Sequence, residues 1–375
     1  MSRKIFILSG EPSGDLHGSN LVSALKAQDP ELEIACWGGD RMAKAGATVL
    51  KHIDELAFMG FVEVVANLRT ILRNFNLCEE HIRSFQPDLV AFIDYPGFNL
   101  RMAKRVKEMQ IPTAYYISPQ IWAWKESRVS KVKRYLDHVF VILPFEKAFY
   151  EKHGVPAEFV GHPLLDEIGH IHADPASFRK EFDLDNRPIL AILPGSRSQE
   201  IQLLLEPCAA IVSEFPNHQF VVSKVPWQPA SMYSALPSGV KLVEGRTYEL
   251  LSLSEAAIVT SGTATLETAL IGTPQVVVYK ANPISVVIAR WLVKVKFISL
   301  VNLVMDREVI TELIQADVNS NRLRKEVRSI IEGGERRSHV LQEYSQLKAK
   351  LGEKGASSFV ATRLLKIIPD TKPQP

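Results

Sequence analysis

Short apolar, β-branched runs alternate along most of this chain with longer stretches of helical period. Residues 4–9 (KIFILS), 33–37, 89–93, 113–117 and 138–143 read as strands, each followed by helix-period sequence, the first at 16–27. Several of these runs are apolar throughout, which fits a parallel sheet covered by helices on both faces. The pattern thins around His162, Pro163, Asp174 and Pro175 and restarts at 189–193 (ILAIL), with further strands at 219–223, 241–243, 257–260 and 275–279. Two such runs of βα units predict an α/β protein of two Rossmann-like, doubly wound domains, 1–165 and 186–350, facing a cleft and joined by a linker over 166–185. From about residue 319 the chain is helical and charged, broken at Gly333-Gly334. A last helix at 357–368 precedes a Pro-rich tail, so 351–375 forms a segment free to cross to the other domain or to a partner subunit.

Composition narrows this picture without redrawing it. A length of 375 residues suits two domains with separate cores. Lysine plus arginine is 44 and aspartate plus glutamate 42, a net charge of +2 that argues against nucleic-acid binding by bulk charge while leaving local basic patches open. Cys36, Cys78 and Cys208 form no C-x-x-C pair, which excludes a disulfide framework and a thiolate zinc site and fits a reducing cytosol. The N-terminal apolar run is too short for a signal peptide, and no segment approaches the 20 or so apolar residues that a membrane span requires.

Candidate chemistry sits at the strand ends. Ser9-Gly10-Glu11-Pro12-Ser13-Gly14-Asp15 joins the first strand to its helix, is neither G-x-G-x-x-G nor a P-loop, and offers a helix cap in Ser13 or Asp15. Glu11 there stands at the carboxyl edge, where such sheets bind ligands. Asp94, in Ile93-Asp94-Tyr95-Pro96-Gly97, leaves an apolar strand for a Pro-Gly turn; it reads either as a cap of the helix near Phe98 or as a general base whose pKa is raised. Trp122 and Trp124 follow a third strand and belong either to the core or to a sugar or acyl site.

In the second half, Pro194-Gly195-Ser196-Arg197 runs from a strand into a helix. Gly195 lets the backbone approach a ligand, Ser196 can cap, and Arg197 can fork onto phosphate oxygens. Ser261-Gly262-Thr263 opens a helix after a buried strand, a cradle of N–H groups and hydroxyls for phosphate, with Glu267 one turn inside and placed to hold a ribose diol. Together the two loops point to a nucleoside diphosphate held without a metal-binding D-x-D. The histidines, His17 and His162 included, have no zinc spacing. Within 61–75, Phe61, Val64, Val65, Leu68, Ile71, Leu72 and Phe75 share a helical face of roughly 120° flanked by Arg69 and Arg73. That face either packs on the sheet or forms a membrane-surface patch beside Lys125, Arg128, Lys131, Lys133 and Arg134.

These segments resemble the lipid-A-disaccharide synthases, GT-B glycosyltransferases of Gram-negative lipid A biosynthesis. The similarity covers nearly the whole chain: SGEPSGDLHG, LAFMGFVEVV, IDYPGFN, YYISPQIWAW, LPFEKAFY, FVGHPL, LPGSRSQEI, SGTATLE and ISLVNLVMDREVITELIQ. The resemblance implies transfer of 2,3-diacylglucosamine from its UDP derivative to the 6-hydroxyl of 2,3-diacylglucosamine 1-phosphate, with inversion, no cofactor and no obligatory metal. It implies Asp94 as base, Glu11 supporting acceptor or base, and Arg197 with the Ser261–Thr263 helix start neutralising the departing UDP. Ser196, Asn302 and Gln315 match polar positions near the nucleotide. Also implied are a homodimer exchanging C-terminal segments, bringing Asn302 to the partner's site, and docking on the cytoplasmic face of the inner membrane through Val64, Val65, Leu68, Ile71 and Leu72, with Trp122 and Trp124 on the acceptor side. Pro12 after Glu11 departs from the family's usual wording and predicts a stiffer turn. Competing readings are another UDP-sugar GT-B enzyme, of the lipid II transferase or UDP-GlcNAc 2-epimerase kind, and a non-enzymatic UDP-sugar-binding or scaffold protein.

Overall fold

The computed structural model describes residues 3–56, 68–124, 126–169, 171, 173–281 and 296–368. Two parallel sheets organise them. In the first, β1 (Lys4–Leu8), β2 (Glu33–Gly38), β3 (Thr48–His52), β4 (Leu89–Ile93), β5 (Thr113–Tyr116), β6 (His138–Val141) and β7 (Glu158–Phe159) lie in the order β3-β2-β1-β4-β5-β6-β7. In the second, β8 (Ile189–Leu193), β9 (Gln219–Lys224), β10 (Lys241–Glu244), β11 (Ser254–Thr260), β12 (Gln275–Tyr279) and β13 (Glu312–Ile314) lie in the order β10-β9-β8-β11-β12-β13.

The apolar strands follow from cover on both faces. Phe6 and Leu8 of β1 join Val90 and Phe92 of β4 in one core, while Ile5 and Ile7 join Leu89, Ala91 and Ile93 in another. With a side-chain period of two, a strand buried on both sides must be apolar at every position. The strands missed by the pattern are the poor examples: β3 mixes apolar and polar residues with none fully buried, β7 has two residues, and β13 has three.

The chain divides into one unit of residues up to Pro163 plus those from Leu351 onward, and a second unit of Leu164–Lys350. The C-terminal helix Ala356–Ile367 therefore crosses to the first unit. Its Val360, Ala361 and Leu364 share a core with Leu21, Val22 and Leu25 of helix Pro12–Gln28. Residues 166–185, expected to be linker, instead carry the end of helix Leu164–Ile168 and helix Pro175–Glu181. Phe178 there is buried with Ile189 and Leu250, because a phenylalanine one turn inside a capped helix supplies an apolar face.

The helix expected over 61–75 is described from Leu68 and runs on to Phe85. Phe75, Cys78 and Ile82 are buried in the first unit. Leu72, about 60° round the helix from Phe75 at 3.6 residues per turn, is 54% exposed. The proposed single face is thus divided between core and surface; Val64 and Val65 lie outside the described residues. All three cysteines are buried free thiols, and burial raises Cys36 and Cys208 to about 12.

Candidate active site

In the first sheet the strand order reverses between β1 and β4, which places the ligand crevice of a doubly wound sheet at their carboxyl ends. Glu11 follows β1 and Asp94 follows β4. Glu11 is exposed at the N-cap of helix Pro12–Gln28 with no side-chain capping bond, and Pro12 takes a first-turn position that suits its fixed φ. Asp15 does cap, but on another helix: its carboxylate accepts from Gly39 N at 2.7 Å, Met42 N at 3.2 Å and Arg41 N at 3.2 Å, at the start of Asp40–Lys44. A Cβ on Gly10 would stand 2.3 Å from the Tyr95 ring, so the two loops meet only because residue 10 has no side chain.

Asp94 and Tyr95 both adopt left-handed backbone, φ 45° and 50°, at about 1–3 kcal/mol each for residues other than glycine. The surroundings hold that turn in place. The Asp94 carbonyl accepts from Asn99 Nδ2 at 2.7 Å and from the Tyr115 hydroxyl, and Asn99 Nδ2 also reaches Ile93 O at 3.2 Å. The Tyr95 ring stacks on Phe98 at 5.7 Å, and Phe98 on Phe75 at 4.2 Å. Burial raises the half-buried Asp94 carboxyl to about 6, the negative charge of Glu11 adds to the rise, and a bond from Tyr95 N–H opposes it. A carboxyl poised there is ionised at neutral pH yet more basic than an exposed aspartate, as a general base must be. Asp94 is not a cap: the N-cap of helix Pro96–Glu108 is Tyr95.

The loop after β5, next to β4, carries Trp122 in helix Ile121–Trp124. Trp122 Nε1 donates to Glu146 Oε1 at 3.0 Å, and its ring meets Phe145 edge-on at 4.8 Å. Glu146 also accepts from Leu143 N at 2.9 Å, Ile142 N at 3.2 Å and Ser118 Oγ at 3.4 Å; burial raises it to about 7 against those bonds. Sequence reasoning missed this residue, although a glutamate at the third position of helix Pro144–Lys152 is the usual capping signal. Trp122 is half-buried and bonded; Trp124 ends the same helix. Burial lowers His17 to about 4 and His162 to about 3, so both are neutral at physiological pH.

The second sheet reverses between β8 and β11, and both predicted phosphate loops follow those two strands. Gly195 has φ 97°, and a Cβ there would lie 2.5 Å from Glu200 Oε2. Arg197 occupies the N-cap position of helix Ser198–Ala209 without a side-chain capping bond; its side chain is 81% exposed and pairs with Glu200 at 3.2 Å, an exposed ion pair worth little that an anion can displace. Ser196 is exposed, and its carbonyl accepts from Trp227 Nε1 and Gln228 Nε2, each at 3.2 Å. Gly262 caps helix Thr263–Ile271, with nothing within 4 Å of where a Cβ would sit, so a ligand can approach that backbone closely. Glu267 is half-buried, its carboxyl raised by burial against a bond from Tyr248.

The remaining expected residues brace the cradle. Asn302 is fully buried and uses its whole amide: Nδ2 donates to Ile310 O and Glu312 Oε1, each at 2.9 Å, and Oδ1 accepts from Val309 N at 2.8 Å and Ile310 N at 3.1 Å. An amide with both hydrogens and both lone pairs committed has nothing left for a nucleotide, so Asn302 acts here as a brace and not as a ligand. Glu312, also missed, accepts from Ile298 N and Ser299 N, each at 2.9 Å, and from Ser299 Oγ at 2.7 Å. Ser261 Oγ donates to Ile298 O at 2.7 Å, so this knot sets one wall of the phosphate loop. Gln315, at φ 57°, pairs its amide with Ala281, donating to O at 3.2 Å and accepting from N at 3.1 Å, which ties the ends of β12 and β13.

The family model described as lipid-A-disaccharide synthetase matches residues 5–364. Among the relatives, the lipid-A-disaccharide synthase of Syntrophus aciditrophicus is 38% identical and that of Myxococcus xanthus 39%, each alignment covering 98% of both chains. Among solved structures, the UDP-GlcNAc 2-epimerase of Neisseria meningitidis bound to UDP-GlcNAc superposes with a TM-score of 0.70 at 14% identity, over 97% of this chain and 100% of that one. A glycotransferase of kitacinnamycin gives 0.69 at 15%, over 98% and 100%. Similarity at that level establishes a shared GT-B fold and no more.

Proposed function

This chain belongs to the lipid-A-disaccharide synthase family and is a hexosyltransferase of lipid A biosynthesis, and from that premise we propose its substrates and mechanism. The donor is UDP-2,3-diacylglucosamine, the acceptor 2,3-diacylglucosamine 1-phosphate, and the products are the β-1′,6-linked disaccharide 1-phosphate and UDP. One observation carries the reading: two carboxylates, Asp94 and Glu11, stand at the switch point of one sheet, and an arginine loop and a helix start stand at the switch point of the other.

Asp94 takes the proton of the acceptor 6-hydroxyl. The freed oxygen attacks the anomeric carbon as its bond to the UDP oxygen breaks, on the opposite face, so the configuration inverts. The charge gathering on UDP is met by Arg197 and by the N–H groups at the start of Thr263–Ile271, donors already fixed by Gly195 and the Ser261–Ile298 bond. Glu267 holds the ribose, exchanging its Tyr248 bond for the diol. Glu11 supports the acceptor and keeps Asp94 basic.

Both substrates are amphiphiles, and among the described residues no helix is long and apolar enough to cross a membrane. We infer peripheral docking on an anionic lipid surface by the first unit, where Leu72 and the exposed Lys131, Lys133 and Arg134 supply apolar and basic contacts. A homodimer belongs to the same reading, with the C-terminal helix Ala356–Ile367 kept on the first unit of its own chain. An acceptor panel tests the chemistry: disaccharide from the diacylated monosaccharide supports it, whereas transfer only to an undecaprenyl-linked muropeptide, or epimerisation of UDP-GlcNAc, would sink it.

A further inference from the structure

The strand order of the second sheet gives direction to any ligand held at its carboxyl edge. Glu267 follows β11, and Ala281 and Gln315 follow β12 and β13, all to one side of the cradle. The turn after β9 lies on the other side, beyond Ser196 and Arg197 of the β8 loop. A nucleoside on the Glu267 side therefore directs the diphosphate toward Arg197 and whatever is esterified to it toward β9.

Trp227 stands in that turn. It is 67% exposed, the most exposed large apolar side chain among the described residues. It is also fixed. Its Nε1 and Gln228 Nε2 both donate to Ser196 O at 3.2 Å, and Ser198 Oγ donates to Gln228 Oε1 at 3.2 Å. A lone exposed apolar residue needs no explanation, but an indole anchored by its own N–H to a phosphate loop presents a rigid face at little entropic cost. Beside it, the Arg197 guanidinium is 81% exposed. A cation and a flat apolar ring on one loop pair suit an amphiphile whose anionic group and hydrocarbon are separated by one sugar ring.

We propose that Trp227 is a specificity-determining residue that packs its indole against an acyl chain of the donor. This rests on the donor assigned above. The full chain, its Trp227→Ala variant and its Trp227→Phe variant would be compared by calorimetric binding of UDP and UDP-GlcNAc and by kinetics on the diacylated donor. Trp227→Ala should keep its melting temperature and its affinity for both nucleotides, while kcat/KM on the diacylated donor falls about tenfold through KM, as expected for losing about 1.4 kcal/mol of apolar contact. Trp227→Phe, which keeps an apolar ring, should retain most of it. An unchanged KM for the diacylated donor overturns the assignment, as does an equal loss of UDP affinity, which would put the indole on the nucleotide. If the unmodified chain fails to use the diacylated donor at all, the proposed function falls first and this assignment with it.

Discussion

Replacing Asp94 by asparagine removes a charge while keeping its shape, and two independent quantities should move in opposite directions. The wild-type carboxyl is raised from an ordinary 3.8 to about 6, with burial the leading cause. A folded-state value above the unfolded one means the native state holds its proton more tightly, so the contribution of Asp94 to stability is greatest below pH 3.8 and is lost as pH rises through 6. At 1.36 kcal/mol per pH unit, that interval amounts to about 3 kcal/mol of destabilisation in the ionised native protein, nearly all of it present by about pH 8 and little of it at about pH 4. The asparagine side chain cannot ionise. Relative to wild type, Asp94→Asn should therefore gain stability with rising pH, by about 2–3 kcal/mol between about pH 4 and pH 8 in paired urea unfolding curves. Turnover should fall about 10²–10⁴-fold, the usual size of a general-base loss, with UDP affinity kept. A stability difference that does not change with pH would refute the buried-charge reasoning, and a near-normal kcat would remove Asp94 from the role of base.

Glu11→Gln removes the negative charge that helps raise Asp94, so the acidic limb of the kcat/KM profile should move to lower pH; a limb that stays fixed or moves up contradicts the coupling. Arg197→Ala should weaken UDP binding and turnover together, since its pairing with Glu200 is exposed and little stability is lost with it; calorimetry showing unchanged UDP affinity would take Arg197 off the phosphates. Leu72→Ser combined with Lys131→Glu and Lys133→Glu should leave thermal unfolding in place and reduce flotation with anionic vesicles. Undiminished flotation would move the lipid contact elsewhere.

What could be read in the sequence is what local chemistry encodes. Strands such as ILAIL are apolar at every position because both faces are covered, and Asp94, Glu11, Arg197 and Ser261 announce themselves as polar groups at the ends of such strands. The order that brings β1 beside β4 and β8 beside β11 is a property of the assembled sheets, so the pairing of those loops at switch points emerged only in the fold. Asn302 was expected at the nucleotide from the family resemblance alone; the partners that commit its amide, among them Ile310 and Glu312, are eight and ten residues away and join it only through the turn. Glu146 carried a capping signal at the third position of its helix, but its bond from Trp122 Nε1 joins a distant segment; Glu312 was passed over because its N–H donors, Ile298 and Ser299, lie in another segment, which no residue pattern displays. The helix Leu68–Phe85 outruns its expected end because the polar run between Cys78 and Ile82 masks a core face that continues the period.

Whether a poised carboxylate and an arginine–helix cradle suffice for inverting transfer is decided by one product analysis. The purified chain is incubated with UDP-2,3-diacylglucosamine and 2,3-diacylglucosamine 1-phosphate in EDTA, and the anomeric configuration of the new linkage is read by NMR. A β-1′,6 disaccharide should form in step with UDP, at the same rate with and without EDTA. An α linkage, or turnover abolished by EDTA and restored by a divalent cation, would contradict it.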